Sequence, residues 1–135
     1  MNIRVLKIIF FASAVLLLAS VFIPSFSDGV SPARKAKAKN AVDMLTIAAK
    51  AYKEEYGESP KGDRVSILRT LHNDNPRKIV FLEISPKELS KEGIYLDPWG
   101  TPYVFDLSNS SPWAYSFGKN KRDEGGNGDD VASWQ

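Results

Sequence analysis

The feature that most limits what this chain can become is an uncharged run near its start. Ile8 to Ile23, IIFFASAVLLLASVFI, follows Arg4 and Lys7 and precedes Pro24 and the polar stretch SFSDG. As a helix the run covers about 24 Å, against about 30 Å of hydrocarbon in a bilayer. It spans if Val5 and Leu6 join it and Lys7 reaches out to the interface. We read it as a retained single-pass membrane anchor. The competing reading is a signal segment cleaved after Ser27, because Ser25-Phe26-Ser27 sets small residues at a cleavable spacing before Asp28. Arg34, Lys35, Lys37 and Lys39 outnumber Arg4 and Lys7, so flanking charge alone favours keeping the rest of the chain inside. A charged start with a short apolar run is nevertheless an export signal, and long polar domains cross largely regardless of charge. The remainder is therefore expected outside the cytoplasm.

Setting residues 1–28 aside leaves 29–135 for one modest domain. Over the whole chain 18 basic against 16 acidic residues give a net +2, too balanced to point to nucleic acid as a partner. The absence of cysteine excludes disulfides, thiolate metal sites and thiol nucleophiles, so any staple is packing or an oxygen-ligated cation.

From Ser31 to Tyr56 there is no glycine, and the one proline, Pro32, suits the first turn of a helix capped by Ser31. Val42, Leu45, Ala49, Tyr52 and Tyr56 recur in steps of three and four and draw one apolar stripe. The preceding ARKAKAK is made of helix formers with little to bury and reads as a solvated continuation of the helix, a bland role favoured over contact with anionic headgroups. Gly57 supplies the stop. Asp63 caps a second, short helix with Val65, Leu68 and Leu71 inward. Lys78 to Ile84 is too short for periodicity to separate strand from turn, and Ser85-Pro86-Lys87-Glu88 opens a short helix over 86–91. Asp97-Pro98-Trp99-Gly100 is a turn. After it Tyr103, Phe105 and Leu107 alternate on one strand, and Trp113, Tyr115 and Phe117 on the next, as a hairpin whose apolar face covers the long helix. The fold class is α+β, a long N-terminal helix packed on a small antiparallel sheet.

Enzyme constellations are missing: there is no G-x-S-x-G elbow, no phosphate-cradling loop and no paired histidines, and no catalysis is expected. His72, the sole histidine, reads as a surface cap at a helix end. The aromatics Trp99, Tyr103, Trp113, Tyr115 and Trp134 read as core rather than a stacking surface. Lys119 to Ser133, KNKRDEGGNGDDVAS, lets several oxygens converge. Asp129 and Asp130 with loop carbonyls form a calcium candidate, against a solvated mobile loop as the bland alternative. It is neither an EF-hand, lacking alternate acids and a closing glutamate, nor a stacked nonapeptide repeat, having one copy.

Taken in order, the long helix ending AAKAYKEEYGESPKG, then DPWGTPYVF, then SFGKNKRDEGGNGDDVASW resemble the major, G-type pseudopilin of type II secretion over most of residues 34–135. The resemblance implies a pilin-like inner-membrane subunit with its domain in the periplasm, packing with secretion or pilin-like subunits into a homo-oligomeric filament. It also implies calcium in the C-terminal loop, held by the Phe117 carbonyl, Asn120, Asn127, Asp129 and Asp130. Asn120 stands where the family usually has aspartate. The first glycine is Gly29 and the first acid Asp28, so no prepilin-peptidase site is present. A stand-alone anchored or secreted periplasmic accessory module with a pilin-like fold is the alternative.

Overall fold

The structure, a computed structural model, describes residues 31–135, so the expected anchor and leader over residues 1–28 lie outside the described residues. Among the described residues no helix is long and apolar enough to cross a membrane. The core lies within the compact unit Arg34–Gln135.

Helix α1 covers residues 31–56. The expected stripe is buried at Val42, Leu45, Ala49 and Tyr52, with Tyr56 half-buried. Ala38, Ala41 and Ala48 widen it, and such small side chains allow other backbones to come close. The ARKAKAK segment is solvated over residues 33–37, as expected, and turns inward only at its end. Ala38 is fully buried, and Lys37 Nζ meets Glu88 Oε1 at 2.7 Å, while Arg34 and Lys35 are exposed. Gly57 N donates to Lys53 O at 2.8 Å and ends the helix.

Helix α2 spans Arg64–His72, with Asp63 as N-cap accepting from Ser66 N at 2.8 Å. Its buried face is Ile67, Leu68 and Leu71; Val65 is only half-buried, so the helix is rolled from the expected face. Beyond it, buried Asn75 acts as a hub. Its Nδ2 donates to Thr70 O and Ile79 O at 2.9 and 2.7 Å, and its Oδ1 accepts from Tyr56 OH and Ile79 N at 2.8 and 3.0 Å. One amide side chain thereby joins both helices. Residues 78–84 form no strand. Lys78 sits at φ +55°, and Phe81 N and Leu82 N both donate to Leu71 O, so the end of α2 takes the donors that a sheet partner would need. Phe81 packs edge-on against Tyr52, ring centroids 5.5 Å apart.

The expected helix over 86–91 is a single 3₁₀ turn, Pro86–Glu88, with its capping box intact: Lys87 N donates to Ser85 Oγ and Ser85 N to Glu88 Oε2. It stops early because Leu89 is already extended and bridges Tyr95, while Ser90 N donates to Ile94 O. Three short strands, β1 Val104–Asp106, β2 Trp113–Ser116 and β3 Val131–Ala132, form an antiparallel sheet in the order β1-β2-β3.

Tyr103, Phe105 and Leu107 are buried as expected, but the face assigned to the second strand is reversed. Phe105 lies opposite Ala114, so Ala114 is the residue that joins the helix-side core. Trp113 and Tyr115 share the other face with Asp106 and Val104. Alternation defines two faces without saying which is covered; the cross-strand register decides it. Trp113, Tyr115 and Phe117 instead gather with Trp134 in an outer cluster, with centroids 5.8 to 6.3 Å apart among Trp113, Tyr115 and Trp134 and 6.0 Å from Tyr115 to Phe117. Trp134 is 54% exposed, so not all the aromatics are core.

The DPWG turn is organised by Asp97, itself buried. Its carboxylate accepts from Trp99 N and Thr101 N at 2.9 Å each, Thr101 Oγ1 at 2.8 Å and Ser116 Oγ at 2.6 Å. Asp97→Ala strands these donors and should cost on the order of 3 kcal/mol, measured by denaturant unfolding; a loss within error of wild type would remove Asp97 as an anchor. Nearby, the Tyr95 and Tyr103 rings pack at a tilt with centroids 4.7 Å apart. Burial, with a smaller push from Glu88, raises the Tyr95 hydroxyl to about 12, and Tyr103 is raised chiefly by burial. Both therefore hold stability that is full below the unfolded tyrosine value of about 10 and declines above it. For Tyr95 that contribution is gone once pH passes about 12. Alkaline unfolding should accompany a late phenolate absorbance, and Tyr103→Phe should move its midpoint to higher pH.

Candidate functional site

Strands β2 and β3 are neighbours, so the segment between them, residues 117–130, closes on itself as a loop at one end of the sheet. Two contacts fix its start. Ser116 Oγ accepts from Gly118 N at 3.0 Å, and a Cβ on Gly118 would lie 2.1 Å from Asp129 O. With φ at +67° as well, this position admits only glycine, and the two ends of the loop touch there.

The carboxylates organise the interior. Asp130 is 1% exposed, and its Oδ2 accepts from Glu124 N and Gly126 N at 3.0 and 2.8 Å. Asp129 Oδ2 accepts from Asn120 N at 3.0 Å. The remaining oxygens, Asp129 Oδ1 and Asp130 Oδ1, are buried without a hydrogen-bond partner. A carboxylate oxygen in that state is strongly unfavourable, and a cation that ligates oxygen satisfies it.

The five residues expected as ligands lie along this loop with unequal engagement. Phe117, at the end of β2, is half-buried. Asn120 is exposed, and its Oδ1 accepts from Arg122 N at 2.7 Å. Asn127 is exposed; its Nδ2 donates to Glu124 O at 3.1 Å, and its carbonyl accepts from Asp130 N at 2.9 Å. Thus Asn120 is tied to Asp129 and Asn127 to Asp130. Among the described residues no group of three or more histidine, cysteine or acidic side chains is gathered as a metal site, so the charged donors reduce to the aspartate pair.

Two acids that the sequence reading passed over are structural members of the loop. Glu124 Oε2 accepts from Asp129 N at 3.0 Å, and Asp123 Oδ1 accepts from Gly125 N at 3.0 Å and Tyr115 OH at 3.1 Å. Burial and then that bond to Asp123 push the Tyr115 hydroxyl up. Their acidity among glycines was the available signal. The C-terminus seals the other side: Gln135 Nε2 donates to Gly126 O at 2.7 Å, and a Cβ on Gly126 would meet the Trp134 ring at 2.1 Å. The loop is therefore packed rather than free.

His72 lies in the last turn of α2, with Nδ1 3.2 Å from Leu82 O, beside a groove of about 490 Å³ whose walls include Leu68, Ile84 and Leu89. The two charged residues at that groove, Arg69 and Asp74, pair with each other at 3.1 Å.

No curated protein and no solved structure matches the chain. The family model described as Type II secretion system (T2SS), protein G matches residues 26–134, from before α1 through β3 and Trp134. With most of its length covered by that match, the chain belongs to the type II secretion system protein G family.

Proposed function

We propose that the chain is a pseudopilin-type structural subunit of a type II secretion or pilus-related assembly. In this reading residues 8–23 anchor it in the inner membrane, its domain lies in the periplasm, and a calcium ion braces the 117–130 loop. The role is structural rather than enzymatic. Family membership carries the assembly reading, and helix α1 supports it. One face of α1 is consumed by its own domain, while Met44 and Ile47, a turn apart, remain 39% and 54% exposed, an apolar pair that a neighbouring subunit would cover.

The observation that carries the calcium reading is the pair of buried, unpartnered oxygens, Asp129 Oδ1 and Asp130 Oδ1. Calcium accepts six to eight oxygen ligands in flexible geometry, so two carboxylates can be completed by carbonyl and amide oxygens. Asn120 Oδ1 keeps a second lone pair beyond its bond from Arg122, and the Phe117 carbonyl and Asn127 are the other candidates. The site is modestly charged, with Lys121 and Arg122 opposing a cation, and its affinity is expected to be correspondingly modest.

Two experiments test these statements. Thermal unfolding of the full chain with calcium at a hundred times its dissociation constant should show a gain of about 2.7 kcal/mol over chelator, lost in Asp129→Asn/Asp130→Asn. The same curve with and without calcium in both proteins would remove the metal while leaving the subunit role intact. In-cell cross-linking followed by purification should recover multimers of the chain or other secretion or pilin-like subunits. Recovery of the monomer alone would sink the assembly reading in favour of a stand-alone accessory module.

A further inference from the structure

We propose that Asn127 is a site of spontaneous covalent modification, in which its side-chain amide passes through a succinimide to aspartyl and isoaspartyl forms and adds a negative charge to the loop. The chemistry is set by the following residue. A backbone nitrogen attacks the side-chain carbon of the preceding asparagine only where the next side chain does not crowd the ring being formed, which glycine alone guarantees. Of the seven asparagines, Asn127 is the one followed by glycine; the others precede Ile3, Ala41, Asp74, Pro76, Ser110 and Lys121.

The structure leaves the reacting groups available. Asn127 and Gly128 are both exposed, at the rim of the loop rather than in its packed interior. Among the described residues no hydrogen bond engages the Gly128 N–H, which is the nucleophile. The Asn127 side chain is held by one bond, Nδ2 to Glu124 O at 3.1 Å, and that nitrogen is the leaving group. Gly128 N bonds to Asn127 Cγ, the Cγ–Nδ2 bond breaks, and ammonia departs with the proton given up by Gly128 N. Water then opens the imide. Cleavage at the side-chain carbonyl gives aspartate, and cleavage at the main-chain carbonyl gives isoaspartate, whose extra backbone methylene displaces the Asn127 carbonyl from Asp130 N.

The new carboxylate joins a loop that already holds Asp123, Glu124, Asp129 and Asp130. Without a cation it adds repulsion. On the calcium reading above, it exchanges a neutral donor for a charged one.

The test is prolonged incubation of the purified full chain with chelator at mildly alkaline pH, followed by peptide mass mapping and labelling with an isoaspartyl methyltransferase. The expected result is loss of the amide at Asn127, with isoaspartate in the same peptide, while the other six asparagines persist. Asn127→Gln should abolish both signals without requiring a change of fold. A parallel incubation in urea gives the rate of the unconstrained chain. An Asn127 that converts readily in urea but no faster than the other six when folded would overturn the proposal, because the loop would then be holding the amide out of reach.

Discussion

The Asp97 carboxylate is the joint on which the rest of the domain depends. A buried carboxylate is tolerated only when donors surround it, and Asp97 collects three from its own turn and a fourth from Ser116 on β2. That fourth bond does more than satisfy a charge. Ser116 Oγ is at once donor to Asp97 and acceptor from Gly118 N, so the turn before β1, the middle strand and the first residues of the loop form one hydrogen-bonded chain. Asn75 does the equivalent work beyond α2, where its amide satisfies both helices and the segment after α2. Short strands of two to four residues hold little on their own; here Asp97, through Ser116, ties the middle strand to the turn before β1.

The sheet then divides its faces between two tasks. One face, through Phe105 and Ala114, closes the core against α1. The other carries Trp113 and Tyr115, and with Trp134 these rings form the wall against which the C-terminal loop rests. Tyr115 reaches the loop through Asp123, and Trp134 lies over Gly126. The loop is consequently held from the core side by Ser116 and Gly118 and from the outer side by aromatic rings. That explains how a glycine-rich connection keeps a defined path.

Much of this was legible in local chemistry. The three-and-four spacing of Val42, Leu45, Ala49 and Tyr52, the stop at Gly57, the Asp63 cap and the DPWG turn are decided by neighbours in sequence, and each lies where its residues put it. What failed depends on partners distant along the chain. Ala114 rather than Tyr115 faces the helix because Phe105 lies opposite it, a register that no single strand contains. Residues 78–84 read equally as strand or turn in isolation, and Leu71 O at the end of α2 decides against a strand by accepting from Phe81 N and Leu82 N. Within the loop, the residue types pointed to Asp129 and Asp130, but the ordering roles of Asp123 and Glu124 emerge only when backbone amides fold back onto them.

Those amides also bear on what the loop is built to do. Each aspartate gives one oxygen to the backbone: Asp129 Oδ2 to Asn120 N, Asp130 Oδ2 to Glu124 N and Gly126 N. The other oxygen of each is buried and unengaged. A loop needing only to be closed would gain by turning both oxygens to donors or to water, since each orphaned acceptor costs about 1 to 3 kcal/mol. Fixing one oxygen to orient the other is how surrounding bonds position a metal ligand. The proposed calcium site requires that same division of labour, and its value to the fold follows from it: the ion would satisfy the two groups that packing and hydrogen bonding leave unsatisfied.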